Sequence, residues 1–489
     1  MSKSNNILRK MDPKETFFLF FKDNEHVIRL FKMSSKIDYF QYKDLFKQAV
    51  HKWISIHPLL NAKIEQIESD YYFVKIESNN NDVELENIKF LTIDSESLNK
   101  TNNNNYNTII DLIIENESFN KIDLNNKLWR LTLIRSNDNN NDFDIIFTIH
   151  HSITDGRNVI YIFQQLLSIF EDFYTNKMSE IKSYSILPGL YELFLKEADD
   201  NLPLLIPQNV MPSFLSIDEA KSIETTNQKY KDYLNVIINS DTSKLSIIDL
   251  IETAKLNQLK FKFITLNQDD SIQLFEKLKQ YKVKLQPFLN ILFAMTFQRV
   301  YQTFGNEKEI NRSIFHRHVV NLKPFLEDQT IFGENINEKM GYYGQLFTYE
   351  VKDKLHINEF WINVKKETEL MTAKLEKGEQ FPKKNHHAIP IKINYSELFL
   401  DFLNSNLGII SELSPKNMTT QLQTIKNVFI NIKSEYSEYS FKRFIFNNFV
   451  TIDNKLNWSL VYNSYYVDDQ IIEFIYKETL NIFKQILLV

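Results

Sequence analysis

The 489-residue sequence contains no cysteine and only 8 glycines. Without cysteine the chain can form no disulfide, no thiolate metal site and no cysteine nucleophile, and its composition is consistent with a reducing compartment. With so few glycines a glycine-rich phosphate loop is not expected, and the sequence contains neither a dinucleotide-binding fingerprint nor a Walker-type loop. These absences argue against nucleotide-dependent and thiol-dependent chemistry.

Long apolar runs are also missing, since none approaches the roughly 20 residues that a membrane-spanning helix needs. Residues 1–6 are polar and lack the apolar core of a secretion signal. The formal net charge is −6, whereas nucleic-acid-binding proteins usually carry a basic surface. We therefore expect a cytoplasmic protein without a transmembrane segment and without a nucleic-acid partner.

The most informative feature that is present is the segment IHHSITDG at residues 149–156. It follows a run with strand character at 143–149 and precedes an amphipathic run at 157–174 that predicts a helix. One imidazole at such a corner can take a proton from an incoming nucleophile, and the aspartate can anchor the corner. The glycine lets the backbone turn and lets a ligand come close. The catalytic candidates are therefore His151, Asp155 and Gly156.

The two adjacent histidines are predicted to have different roles. Neighbouring residues of a strand point to opposite faces, so His150 and His151 make a poor chelating pair, and no third ligand is evident nearby. We therefore predict no metal site, a catalytic His151 and a structural His150. The second pair, His386-His387, lies in a lysine-rich polar stretch without a following Asp-Gly, and we interpret it as having no special function.

Alternating strand and helix patterns in both halves predict two α/β layered domains. The predicted helices are 41–56, 157–174, 271–281, 287–301 and 469–488, with Asp269 or Asp270 as a cap, and the predicted strands are 71–77, 128–135, 143–149, 261–266, 319–322, 345–351, 425–432, 444–452 and 458–462. Residues 188–260 contain three prolines in positions 203–212 and show no long period. The predicted division is a first half at 1–187 with the motif, a crossover at 188–260 and a second half at 261–489.

An ordered set of short motifs along nearly the whole chain resembles the chloramphenicol-acetyltransferase-like superfamily of acyltransferases. That group includes nonribosomal-peptide condensation domains, plant-type acyl-CoA transferases and alcohol acetyltransferases. Besides His150 to Gly156 the matching segments are Leu8-Arg9-Lys10-Met11 with Glu15, Ile37-Asp38 with Leu45, His57-Pro58-Leu59-Leu60, Leu128-Trp129-Arg130-Leu131, Asp155-Gly156-Arg157-Asn158, Val320-Asn321-Leu322-Lys323-Pro324 and Ser405-Asn406-Leu407-Gly408. Each segment is weak alone, and the order of the set carries the resemblance.

Two departures from the family pattern matter. The family's arginine in the Leu-Arg-Pro element, which pairs with the motif aspartate, is Lys323 here. Lysine can pair with Asp155 only as a point charge, without the bidentate fork of arginine, and Arg312 or Arg317 is the alternative partner. The Asp-Phe-Gly-Trp-Gly element of the plant-type branch is absent, which places the chain nearer the alcohol acetyltransferase or condensation branches.

The resemblance implies two similar halves with an active-site tunnel between them and an acyl thioester attacked by a small-molecule acceptor. His151 would be the general base, with an imidazole pKa near the ordinary value of about 6.5. Asp155 would tie the corner to the second half, and residues 405–408, with Asn406, would line the tunnel. Acyl-CoA would be a co-substrate and no cofactor would be permanently bound. Because both halves lie in one chain, we expect a working monomer, whereas the smallest relatives build their site between subunits.

Three functional hypotheses remain open from the sequence. The first is an acyl-CoA-dependent O-acyltransferase acting on a small alcohol or amine. The second is a stand-alone condensation enzyme that takes its acyl group from a carrier protein and forms an amide or an ester. The third is an inactive protein that keeps the fold and serves in interactions, which the Lys323 departure keeps open although the histidine motif is intact.

Overall fold

The computed structural model describes residues 6–20, 26–77, 86–93, 106–136, 141–177, 183–190, 192, 259–305, 310–311, 313–325, 339–377, 401–410, 422–433, 445–464 and 467–488. Most of the expected crossover at 188–260 lies outside these residues, as do Arg312 and the His386-His387 pair.

The N-terminal part of the chain supplies four helices and seven strands within the described ranges. The helices are α1 (Pro13–Phe20), α2 (Lys43–Ile56), α3 (Tyr106–Phe119) and α4 (Gly156–Tyr174), and the strands are β1 (Ile7–Lys10), β2 (His26–Ser35), β3 (Ala62–Ile67), β4 (Asp70–Lys75), β5 (Ile88–Ile93), β6 (Trp129–Ser136) and β7 (Asp142–His150).

The C-terminal part supplies a similar set in the ranges described. The helices are α5 (Gln268–Tyr281), α6 (Leu285–Phe304), α7 (Phe360–Glu376) and α8 (Asp469–Leu488), and the strands are β8 (Leu259–Thr265), β9 (Ile314–Asn321), β10 (Gly344–Val351), β11 (Phe402–Ile409), β12 (Gln423–Lys433), β13 (Ile445–Ile452) and β14 (Lys455–Asn463).

Two larger sheets organise the two halves. The first sheet has the order β12-β2-β7-β6-β5, and the second has the order β10-β9-β11-β13-β14-β8. A smaller sheet has the order β1-β4-β3. The α/β prediction is confirmed, since helices and sheets occur in both halves. One large apolar core lies within the second half, and the other is built mainly from the first half but includes second-half residues such as Met340, Leu407 and Val428.

Strand β12 belongs to the C-terminal part of the sequence but lies in the first sheet. It runs antiparallel to β2, from Gln423 opposite Ser35 to Lys433 opposite His26. This pairing covers backbone groups of β2 that would otherwise form an open sheet edge. The division at 188–260 stays a prediction, but the pairing shows that a strand within 261–489 is part of the first sheet.

The first core fixes helix α4 against the first sheet. The rings of Phe31 on β2 and Phe163 on α4 stack with their centroids 3.8 Å apart. The indole N–H of Trp53 on α2 donates to the carbonyl oxygen of Ile162 on α4 at 2.8 Å, so a buried polar atom is satisfied while the ring stays in the core. The start of α4, where the motif lies, is thereby held at a defined place on the sheet.

The predicted elements differ from the observed ones in instructive places. Helix α5 is capped by Asn267, whose side chain accepts from the Asp270 amide, and not by Asp269 or Asp270 as predicted. Strand β2 was not predicted, because most of its residues are buried on both faces and so do not alternate. Strand β11 was not predicted either, because three consecutive polar residues at 404–406 hide its apolar pattern.

Within the ranges described, no helix is both long enough and apolar enough to cross a bilayer.

Candidate active site

The motif forms the corner between strand β7 and helix α4. The strand ends at His150, a single 3-10 turn follows at His151–Ile153, and α4 begins at Gly156. Asp155 is the N-cap of α4, since its Oδ1 accepts from the amides of Arg157 at 3.0 Å and Asn158 at 2.9 Å. Aspartate suits this position because it satisfies amides that have no partner inside the helix.

His151 is held in one orientation by its own turn. Its Nδ1 lies 3.0 Å from the carbonyl oxygen of Thr154, and a carbonyl only accepts, so Nδ1 carries the proton of the neutral ring. The lone pair is therefore on Nε2. Among the described residues Nε2 has no hydrogen-bond partner, and the residue is 9% exposed. This is the tautomer that a general base needs.

Burial lowers the pKa of His151 to about 4. The hydrogen bond to Thr154 acts in the opposite direction, as does the charge of Asp155, while the positive charge of Arg29 lowers the pKa further. The expectation of a pKa near the ordinary value is therefore wrong, because the sequence does not show how completely the ring is enclosed. At neutral pH the imidazole is fully unprotonated and able to accept a proton.

Two aromatic rings enclose the His151 imidazole. Phe18 of α1 stacks on it with the centroids 4.7 Å apart, and Tyr342 meets it edge-on at 5.0 Å. The two aromatic rings also contact one another at 4.8 Å. Phe18 comes from the first half and Tyr342 from the second, so the imidazole lies where the halves meet. A tunnel that opens to it stays a prediction.

His150 points into a different environment from His151. Its Nδ1 accepts from the Ser152 amide at 3.2 Å and lies 2.7 Å from the Ser152 Oγ. The residue is fully buried, and burial lowers its pKa to about 3. These contacts support the predicted structural role, because His150 closes the turn on which His151 is carried.

Asp155 and Lys323 are brought together across the two halves. The Lys323 Nζ lies 3.6 Å from the Asp155 Oδ2 and donates to the Lys339 carbonyl at 2.9 Å. Among the described residues Lys323 is the only cation within 4.0 Å of this carboxylate, so Arg317 does not take that place. Burial lowers the pKa of Lys323, and Asp155 raises it. The Asn158 side chain donates to the same Lys339 carbonyl at 3.1 Å, which adds a second link.

The segment at residues 405–408 lies against the start of α4. A Cβ added to Gly156 would come within 2.8 Å of the Leu407 Cδ2, so a glycine lets the corner approach β11 this closely without a shift of the Leu407 side chain. The Asn406 Oδ1 accepts from the Gly408 amide at 3.0 Å, and Gly408 has a φ of +85°. Asn406 therefore shapes the end of β11, and its carbonyl oxygen is already engaged locally.

No protein-family model and no curated protein matches the sequence. Solved structures match over nearly the full length. Trichothecene 15-O-acetyltransferase from Fusarium sporotrichioides matches with a TM-score of 0.64 at 10% identity, over 98% of this chain and 95% of that one. The first condensation domain of the CDA synthetase matches with a TM-score of 0.61 at 9% identity, over 99% and 97% of the two chains. The epimerization domain from the third module of tyrocidine synthetase B matches with a TM-score of 0.60 at 13% identity, over 99% of both chains.

The chain has the chloramphenicol-acetyltransferase-like fold. This confirms the fold that the ordered motifs predicted. In this chloramphenicol-acetyltransferase-like structure the motif lies at the junction of the halves, with Tyr342, Lys323 and Leu407 reaching it from the second half.

Sequence reasoning missed three side chains that surround the motif: Phe18, Tyr342 and Arg29. The aromatic residues carry no local signal, because 39 phenylalanines and 23 tyrosines are spread along the chain. Arg29 did carry a local signal in the sequence, since it is a single charge within the apolar run Val27–Phe31. In the structure it is only 1% exposed. A charge in such a run points to a special role. Within the described residues no three His, Asp or Glu side chains are grouped as metal ligands.

Proposed function

We propose that the protein is an acyltransferase that moves an acyl group from a thioester to an alcohol or an amine, with His151 as the general base. The observation that carries the proposal is the hydrogen bond from His151 Nδ1 to the Thr154 carbonyl. It leaves the Nε2 lone pair available at the junction of the two halves. The fold supports the proposal, because acetyltransferase and condensation structures share it.

The reaction begins when His151 Nε2 accepts the proton of the acceptor hydroxyl or amine. The acceptor oxygen or nitrogen bonds to the thioester carbonyl carbon, and a tetrahedral intermediate forms. The C–S bond then breaks, and the imidazolium returns the proton to the leaving thiolate. Because a thioester is already activated, no covalent enzyme intermediate is required, which fits a chain without cysteine.

The residues around His151 would support this reaction in three ways. The Thr154 carbonyl accepts from Nδ1 and so stabilises the imidazolium when it forms. Asp155 caps α4 and lies beside Lys323, so it holds the corner without reaching the reacting atoms. The enclosing rings of Phe18 and Tyr342 exclude water, which strengthens electrostatic interactions in the site.

We propose acyl-CoA as the donor, and a thiol-release assay tests it. The purified protein is mixed with acyl-CoA thioesters of increasing chain length and a panel of alcohols and amines, with a His151→Ala variant as the control. Acceptor-dependent thiol release by the wild type and not by the variant supports the proposal. Thiol release that is equal for both proteins would reject His151 as the base.

A second candidate function is condensation from a carrier-protein-bound donor, which the match to a condensation domain favours. The same acyl group is offered on CoA and on a phosphopantetheinylated carrier protein. Turnover from the carrier alone would select this candidate, and turnover from neither donor would favour an inactive, fold-retaining protein.

We also propose that the protein works as a monomer in the cytoplasm. Phe18 of the first half and Tyr342 of the second half both contact His151 within one chain, which supports this proposal. Sedimentation at assay concentrations should show activity in the monomer peak. Activity confined to an obligate oligomer would contradict this.

A further inference from the structure

Arg29 is a buried arginine that has no ion-pair partner among the residues that the structure describes. It lies in the middle of β2 and is 1% exposed. Its guanidinium has two long hydrogen bonds, from Nη1 to the Ile28 carbonyl at 3.5 Å and from Nη2 to the Gly156 carbonyl at 3.4 Å. The Nε has no partner, and no carboxylate lies within 4.0 Å of the group, in the part of the chain that the structure describes. An unpaired buried charge is costly, so its retention calls for a function.

The position of this guanidinium relates it to the catalytic corner. Its Nη2 lies 3.4 Å from the place that a Cβ on Gly156 would occupy, and the Leu407 Cδ2 of β11 lies 2.8 Å from that same place. The guanidinium therefore lies beside Gly156, the first residue of α4, at the place where Leu407 of the second half also approaches the corner. No other described side chain donates to the Gly156 carbonyl.

We infer that Arg29 is a positioning residue for His151: its guanidinium supports the corner through Gly156 and keeps a positive charge near the imidazole. The inference rests on the proposed function, since it assigns Arg29 to the same site. It is distinct from the pairing of Asp155 with Lys323, because Arg29 acts from the first sheet and Lys323 from the second half.

The charges around His151 make the inference measurable. The positive charge of Arg29 on β2 lowers the pKa of His151, and the charge of Asp155 at the corner raises it. Lys323 lies 3.6 Å from Asp155. On α1, the carboxylate of Glu15 is bound by Arg9 through two hydrogen bonds. Burial lowers the pKa of Arg29 to about 9, so the guanidinium remains charged at neutral pH. Removal of that charge should raise the pKa of His151.

Two substitutions separate charge from shape. Arg29→Met removes the charge and keeps an apolar side chain of similar length, whereas Arg29→Lys keeps the charge and removes the planar fork. Arg130→Met is the matched control, since Arg130 lies on β6 of the same sheet and is paired with Glu117 away from the corner. All variants are first compared by thermal unfolding.

For Arg29→Met we expect kcat to fall by about 10- to 10²-fold, as for a misplaced catalytic group, with KM within about threefold. The acid limb of the pH profile of kcat/KM should move to higher pH, because the pKa of His151 rises. Arg29→Lys should keep the wild-type limb and recover part of kcat. If Arg29→Met does not fold, the test uses Arg29→Lys, for which we expect a lower kcat than the wild type and an unchanged acid limb in the pH profile of kcat/KM.

Titration of the His151 ring by NMR provides a readout that does not depend on activity. It should begin at higher pH in Arg29→Met than in the wild type, whichever substrate the protein uses. An unshifted titration in a folded Arg29→Met variant would overturn the inference. So would a rise in KM alone, since that would place Arg29 in contact with substrate. If the wild type has no acyltransferase activity but the His151 titration still shifts in Arg29→Met, the proposed function is rejected and the inference about Arg29 stands.

Discussion

Lys323 and Asp155 form a buried ion pair across the two halves of the molecule. Their charged atoms are 3.6 Å apart, and the side chains are 2% and 10% exposed. The distance is longer than a direct hydrogen bond, and the lysine donates instead to the Lys339 carbonyl. One ammonium therefore serves a carboxylate and a carbonyl, where an arginine fork would offer two parallel donors to the carboxylate.

Removal of either partner of this pair should destabilise the protein. Asp155→Asn and Lys323→Ala are each expected to cost about 3–5 kcal/mol, because one buried charge is left uncompensated. The double variant should be less damaged than the sum of the two single effects. Chemical denaturation measures all four proteins, and strict additivity would show that the two side chains do not interact. Lys323→Arg is the conservative control and should keep wild-type stability.

The two histidines of the motif should respond in opposite ways to alanine. His151→Ala should lower kcat/KM by about 10²–10⁴-fold, the usual cost of losing a general base, with little change in the melting temperature. His150→Ala should instead lower stability by about 1–3 kcal/mol, because the buried Ser152 amide loses its acceptor. Kinetics and thermal unfolding are measured on both. Activity of His151→Ala within threefold of the wild type would exclude the catalytic assignment.

Stability should fall as the pH falls below about 6.5, the ordinary histidine pKa. Burial lowers the pKa to about 4 or about 3 in five histidines: His57, His150, His151, His316 and His318. Below about pH 6.5 the unfolded chain therefore binds protons that the folded chain does not. The stabilising contribution of these histidines is complete above about pH 6.5 and is lost progressively as the pH falls toward their pKa values in the folded protein. Each histidine contributes a slope of up to about 1.4 kcal/mol per pH unit.

Carboxyl groups whose pKa is raised by desolvation oppose this trend at lower pH, as with Asp111, whose pKa is raised to about 6. The fall should therefore begin at about pH 6.5, before most of the Asp111 carboxyl takes up its proton. Melting temperatures between pH 8 and 4.5 test this, with His318→Asn as a variant that should show a shallower decline. A flat profile down to pH 5 would contradict the buried, neutral histidines.

Gly156→Ala should disturb the contact between the halves. The added methyl group would lie 2.8 Å from the Leu407 Cδ2, and overpacking of this kind typically costs about 1–3 kcal/mol. Leu407→Ala removes the atom in conflict, so the double variant should lose less stability than the two single losses added together. Calorimetry on the three variants measures the effect. Independent effects would mean that Leu407 does not pack on Gly156.

Local sequence was sufficient for the motif and for the elements around it. The runs at 143–149 and 157–174 predicted a strand and a helix with His151, Asp155 and Gly156 at the corner between them, and the structure has β7, one 3-10 turn and α4 in that order. The predicted partner Lys323 also lies beside Asp155. Such features follow from backbone geometry and side-chain chemistry within a few residues, or from motifs whose order the whole chain preserves.

The sequence by itself determined the α/β class, the candidate base and the cation expected to meet Asp155. Only the tertiary structure decided that β12 joins the first sheet, that Phe18 and Tyr342 enclose His151, and that Arg29 contacts Gly156. It also decided that the His151 pKa lies near 4. These properties depend on residues far apart in the chain and on the exclusion of water, and both arise only when the two halves pack together.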